Sequence, residues 1–391
     1  MPSKLKKNTL SYRGCNYMKH RLLLSTLSGK PVTITNIRIN HDEPGAKEHE
    51  VSLIRLLDKL TNGSQFELND TGTVLSYTPG LLIGGELEHD CSLQRGIGYY
   101  LEAVMILAPF CKHPIDIKLR GVTNNTIDPS VDRIKSSGLP ILKKFIIGDC
   151  DLDLTIKKRG ALPKGGGEVH FKCPVNRGLR TIQFEKCGPV KEIRGVSCSM
   201  NVSPDIATRM YKAAKRVLNN FTNDVYLRTD GCQGKLGGNS PGYGISLTAV
   251  TTGVQGESKD IENKTRAYYT SEACCPPMDS NSISEEMTAE YLGEQAAYNL
   301  LEEIHRGGCI DSIFQPMTAL FMALGQKNVS KVLSGPLTQS TIQFLRDLRD
   351  FMGVVFKLDP AKDPEDEDIV LEQVHLACMG IGYNNFSRRV L

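Results

Sequence analysis

Apolar positions along this chain recur with two periods. Residues 17–27 carry Leu22, Leu23, Leu24 and Leu27 as one stripe, and residues 48–60 carry Val51, Leu53, Ile54, Leu56, Leu57 and Leu60. Both spacings predict helices. Ser28-Gly29-Lys30-Pro31 stops the first. Alternation predicts strands over residues 32–39, 65–69 and 73–77, with a Gly/Cys/Asn turn over 12–16. The order then returns. Residues 99–109 read as a helix, 115–121 as a strand, 128–145 as a helix broken near Gly138-Leu139-Pro140, and 152–156 as a strand, with another resuming at Val169. A weaker third copy has helices over 285–305, 313–324 and 338–351, a strand over 354–358 and a last strand over 370–381. Two helices against a small sheet, repeated, is the expected architecture.

Residues 182–280 interrupt that rhythm. They predict strands over 193–200, 224–229 and 244–250, a helix opened by Ser203-Pro204-Asp205 and running to 221, and a glycine-rich loop over 231–244. The expected class is α/β (α+β). Residues 1–181 hold the first two repeats of a large domain, 182–280 an inserted smaller α/β domain, and 281–391 the third repeat and the C-terminal strand.

Composition narrows the function classes. The 391 residues carry a net charge of only +3, so a nucleic acid would meet local basic patches, not a globally basic surface. Apolar stretches such as 103–110 are too short to span a bilayer, and the basic start lacks a signal peptide's apolar core. A soluble intracellular protein with no membrane partner is expected. The 12 cysteines include no CxxC pair and the 8 histidines show no ligand spacing, which argues for reduced thiols and against a metal. The acidic 363–368 segment and the basic amino terminus read as solvated segments or partner-docking segments.

One stretch concentrates chemistry: Lys157-Lys158-Arg159-Gly160-Ala161-Leu162-Pro163-Lys164-Gly165-Gly166-Gly167-Glu168-Val169. Three glycines inside a strand pattern are costly, so the backbone there needs unusual torsions or the close approach of another backbone. Two readings follow. One is a solvated basic hairpin with a glycine bulge. The other is an anion cradle, with RNA phosphate a natural ligand.

Residues 159–169 fill every position of Arg-Gly-x-x-Pro-x-Gly-Gly-Gly-x-Val, and the chain thereby resembles the RNA 3′-terminal phosphate cyclase family. Asn36-Ile37-Arg38 with Pro44-Gly45, Thr78-Pro79-Gly80 with Gly84-Gly85, the turn from Arg120-Gly121 to Asn125, and Asn239-Ser240-Pro241-Gly242-Tyr243-Gly244 match further landmarks. The resemblance implies three βαβα-type repeats and an inserted domain. It also implies a nucleophilic histidine in a Ser-Cys-His-Leu-Leu-Thr-Asn-like segment. Here that segment is Leu333-Ser334-Gly335-Pro336-Leu337-Thr338-Gln339, with Gly335 in the histidine's place. A covalent nucleotidyl step has no group to carry it. Tyr12-Arg13-Gly14 replaces an acidic turn that helps hold the metal, and Arg95-Gly96-Ile97-Gly98-Tyr99 replaces a phosphate turn.

These departures resemble the cyclase-like branch of the family. That branch implies a nucleolar protein of eukaryotic ribosome biogenesis without cyclase activity or cofactor. It acts in early pre-rRNA processing toward the small subunit, and its partners are a nucleolar GTPase and a small nucleolar RNP particle. Candidate RNA or anion contacts are Arg13, Lys19, Arg95, Lys157, Lys158, Arg159 and Lys164. The alternative is a pre-rRNA endonuclease using Asp128, Asp132 and Asp311. Asp128 and Asp132, four apart, would share one helix face, although capping by Asp128 and surface charge for Asp132 are the simpler explanation.

Overall fold

The computed structural model describes residues 9–148, 151–254, 265–277, 288–362 and 370–385. The first eight residues and the acidic 363–368 segment lie outside them. Strands β1 (Leu10–Arg13) and β2 (Val32–Thr35) run parallel across helix α1 (Met18–Ser28). Helix α2 (Glu48–Leu60) then leads to β3 (Gln65–Leu68) and β4 (Leu75–Thr78), giving a sheet of order β1-β2-β4-β3. The next unit repeats this course: β5 (Gly84–Asp90), α3 (Ile97–Leu107), β6 (His113–Gly121), a helical run, β7 (Asp153–Lys158) and β8 (Gly167–Cys173), with sheet order β5-β6-β8-β7.

Two expectations change here. Residues 12–13 belong to β1 instead of a turn. The helical run begins at α4 (Val131–Arg133), not at Asp128, because Ser130 is its cap and its hydroxyl accepts the Arg133 N–H. Pro140 does not break it. A π-helical turn (Ile134–Gly138) leads directly into α5 (Leu139–Phe145), with Pro140 in that helix's first turn.

The third unit starts at β9 (Gln183–Phe184) and is interrupted at once. A second domain follows: β10 (Val190–Met200), α6 (Pro204–Leu218), β11 (Val225–Cys232), β12 (Gly242–Thr251), β13 (Tyr268–Cys274) and α7 (Ala289–Arg306). Its sheet order is β11-β10-β12-β13. Helix α7 was expected to open the third repeat. It packs instead on α6, where Gly293 lies against the Met210 backbone, and on β13, whose Ser271 hydroxyl donates to Ala296 O at 2.6 Å. The third unit resumes with α8 (Gln315–Leu324), β14 (Val329–Ser334), α9 (Gln339–Met352), β15 (Lys357–Lys362) and β16 (Val370–Met379). Its sheet order, β9-β14-β16-β15, matches the first two units.

The units meet through their helices. All ten residues of α8 are buried, and α3 is buried except at Glu102, so both are apolar on nearly every side. Phe145 packs on Phe321 at 5.4 Å between centroids, and Tyr12 stacks on Phe351 at 5.9 Å.

Candidate functional site

The glycine-rich stretch is a joint between the two domains. Its N–H groups at Arg159, Gly160, Lys164 and Gly165 are taken by Leu236 O, Thr123 Oγ1, Ser240 Oγ and Ala161 O, at 2.8–3.1 Å. The inserted domain's loop answers with Asn239 N–H on Gly165 O at 2.8 Å. Gly166 has φ +89°, and a Cβ there would sit 2.8 Å from the Asn239 side chain. A Cβ on Gly238 would lie 2.6 Å from both Arg159 O and Gly165 O. The glycines therefore serve the close approach of two loops, and these N–H groups do not form an anion cradle.

Arg159 departs furthest from its expected role. Its side chain is 2% exposed. Nη1 and Nη2 donate to Asp132 at 2.6 and 3.0 Å, and Nε donates to Asp230 at 2.8 Å. It tethers the hairpin to α4 and to β11 and is closed to RNA. Lys157 and Lys164 are exposed, and Lys158 is half-exposed with Glu168 at 3.9 Å. Arg13 is exposed at the end of β1 and does not line the cleft described next.

That cleft, of about 650 Å³, lies where the three units converge. The first turns of α1, α2, α3, α8 and α9 contribute Lys19, Glu50, Tyr99, Pro316 and Ser340 to its lining. Converging helix starts favour anions, but acids already occupy those of α2 and α3 and the turn that leads into α8. Asp128 accepts Gly96 N at 2.8 Å, Glu50 accepts Lys47 N at 2.8 Å, and Glu303 accepts Ser312 N at 2.7 Å. The start of α1 has no side-chain cap. The cleft's cations are paired as well. Lys19 bonds to Glu102, Arg95 is bidentate on Asp128, Arg38 is bidentate on Glu50 at 2.6 and 2.7 Å, and Arg133 reaches Asp311 at 3.2 Å. Lys19 and Arg95 also sit over the Tyr99 ring, 4.6 and 4.5 Å from its centroid. Burial works against the Asp128 charge, yet Arg95, Asn125 and Gly96 together hold its carboxyl below the usual range. Burial, then Lys19, lower His20 to about 4.

The three acids proposed for hydrolysis are each already paired with protein donors. Asp128 precedes the helix and anchors Arg95, so it shares no helix face with Asp132. Asp132 is 8% exposed and is bound by Arg159, not a surface charge. Asp311 is fully buried, accepting Arg133, Ile313 N and both donors of Thr270. Among the described residues no group of three His, Cys, Asp or Glu side chains is placed to hold a metal.

At position 335 a Cβ would lie 2.8 Å from Gly307 O and 3.3 Å from Arg306 O. The backbone following α7 fills the space that a side chain would need. Tyr12, where the resemblance places an acid, stacks on Phe351 and carries the Arg21 guanidinium 4.1 Å from its ring centroid.

Tyr99, Arg38, Glu50, Glu102 and Arg133 were not identified from sequence as site residues. Arg38 carried a signal in the Asn-Ile-Arg landmark and Tyr99 one at the end of the turn that begins at Arg95; Arg38 holds the left-handed backbone at φ 49°.

The family model described as RNA 3′-terminal phosphate cyclase matches residues 10–358. A probable RNA 3′-terminal phosphate cyclase-like protein of Drosophila melanogaster is 49% identical over 390 residues, covering 98% of each chain. The RNA 3′-terminal phosphate cyclase-like protein of Homo sapiens is 48% identical over 381 residues, 97% of this chain and 98% of its own. The rRNA processing protein rcl1 of Schizosaccharomyces pombe is 40% identical over 383 residues, 97% of this chain and 98% of its own.

Proposed function

The chain belongs to the RNA 3′-terminal phosphate cyclase family, and from that premise we propose that it is a non-enzymatic factor of rRNA processing. It works in the nucleus and nucleolus on pre-rRNA destined for the small subunit. It binds RNA and a nucleolar GTPase within the particle organised by a small nucleolar RNP. The S. pombe relative, named for rRNA processing, supports the process. The cyclase-like names of the other relatives support a departure from cyclase chemistry.

The observation that carries the reading is the closed backbone at Gly335. Cyclase chemistry needs an activated nucleophile at that point, and Gly307 O stands in the way of any side chain. The paired cleft cations fit the same account, since triphosphate binding draws on unpaired donors. The exposed Lys157 and Lys164, the half-exposed Lys158 and Arg13 are cations outside the cleft that can meet RNA phosphates.

The test has two arms. Purified protein incubated with labelled ATP forms no covalent nucleotide adduct. Cells depleted of the protein accumulate unprocessed small-subunit precursor, and the Gly335 chain restores processing. An adduct, or cyclised RNA ends, overturns the proposal.

A further inference from the structure

The inserted sheet has one covered face and one partly open face. Ser197 and Ser271 point to the covered side, where their hydroxyls bond to the backbones of α6 and α7. Alternation puts Arg194, Val196, Tyr226, Arg228, Ser246 and Thr248 on the other side. The register lines them up: Arg194 opposes Tyr226 and Thr248, and Val196 opposes Arg228 and Ser246. The run from α4 into the π-helical turn crosses only the β12–β13 end of this face. There Thr248 Oγ1 meets Ser136 Oγ at 2.8 Å, and Ser137 Oγ donates to Tyr268 O at 3.3 Å. What stays open is a groove of about 380 Å³, within the ~300–1,000 Å³ range of ligand clefts.

We infer that this groove is a binding platform for single-stranded RNA, with Tyr226 as the stacking surface and Arg228 and Lys135 as phosphate contacts. The inference rests on the RNA-binding reading above and gives it a second, separate location. Tyr226 is 67% exposed, on the sheet edge strand, and lines the groove. An exposed aromatic on a sheet between cations is what unpaired bases need: a flat face to stack on and charge along the backbone. Arg228 and Lys135 are both exposed and form no salt bridge among the described residues. Arg194 is shared between Glu192 and Asp224, at 2.7 Å each, and serves the sheet edge. Asp132 in the groove lining shares Arg159 with Asp230. Lys135 and Arg228 are therefore the unpaired charges of the groove lining, which complement a polyanion, and Ser246 supplies a hydroxyl for base edges. A duplex would present no open base face to Tyr226.

The test uses the full chain and a fluorescent 12-nucleotide uridine RNA, followed by anisotropy at several salt concentrations, beside a blunt duplex of the same length. Tyr226→Ala is expected to weaken single-strand binding roughly 5- to 150-fold, the range for one lost stacking contact. Tyr226→Phe keeps the ring and should keep binding. Lys135→Ala with Arg228→Ala should flatten the salt slope by about 0.7 for each of two phosphates. Photocrosslinking to 4-thiouridine RNA should label the β11 peptide. Suppose the wild-type chain binds and Tyr226→Ala binds equally, while the Lys157, Lys158 and Lys164 alanine variant loses binding. The groove is then overturned and the RNA reading stands. A wild-type chain that binds no RNA at low salt overturns both. If Tyr226→Ala instead converts a dimer to a monomer in sedimentation, a second copy occupies the face and the inference fails.

Discussion

Replacing Arg159 with Met tests whether the signature arginine is a tether or an RNA contact. The substitution removes the cation and keeps much of the volume. Asp132, 8% exposed, then loses both guanidinium donors, at 2.6 and 3.0 Å. Asp230, at 38%, can turn to water. The cost therefore falls mainly on Asp132. Stranding one partner of a buried pair costs about 3–5 kcal/mol, while the half-exposed Asp230 contact adds no more than about 1 kcal/mol. Urea unfolding of the full chain, read by tyrosine fluorescence in a protein without Trp, should show a lowered midpoint. Adding Asp132→Leu should recover much of the loss, because the stranded charge is gone. RNA affinity per folded molecule should not change. If Arg159→Met unfolds at the wild-type midpoint yet binds RNA more weakly with a flatter salt slope, the tether argument is refuted.

Four further outcomes are expected. Gly335→His should form no nucleotide adduct and should lower the urea midpoint, since crowding against Gly307 O costs about 1–3 kcal/mol; an adduct in this variant would show that the position can still accept a nucleophile. Acid should weaken the fold from pH 6.5 down to about 4, because in that window the unfolded chain takes up a proton that buried His20, lowered to about 4, refuses; the effect is worth about 3 kcal/mol. His20→Leu should flatten that slope in unfolding midpoints at pH 7 and 5, and an unchanged slope assigns it elsewhere. Replacing Lys157, Lys158 and Lys164 with Ala should weaken RNA association and reduce the salt slope by about 0.7 per phosphate, whereas an unaltered slope removes the cluster from the account. Purified protein should leave a defined pre-rRNA fragment uncut; specific cuts that vanish in Asp128→Asn, Asp132→Asn or Asp311→Asn would favour an endonuclease.

Much of the fold could be read where burial and local period agree. Residues 48–60 form a helix with the expected bounds because Leu53, Leu56, Leu57 and Leu60 fall on one buried face and Glu50 caps its start. Strand β5 was not visible: Gly-Gly-Glu-Leu-Glu-His-Asp has an acid at three of seven places, and only its pairing with β6 makes it a strand. Helix α7 was legible as a helix but not by its neighbour, since the Gly293 approach to α6 is a tertiary fact. The site followed the same rule. The signature pointed to the right stretch through its glycines, but its meaning depends on Asp132 and Asp230, which lie 27 and 71 residues away. Charge alone could not tell buried Arg159 from exposed Lys157. Nor could it show that Lys19 and Arg95 share Tyr99.

The fit of Gly238 against Gly165 and the Arg159 carbonyl has a consequence for reading genomes. A run of residues that locks two folded bodies into one orientation is needed whether or not the molecule performs chemistry. Its presence in a chain therefore reports how the halves are joined, and a search keyed to it will gather working catalysts and silent ones alike. On the function proposed above, the residue to inspect lies some 170 positions downstream, at a single small place beside the exit from the second body.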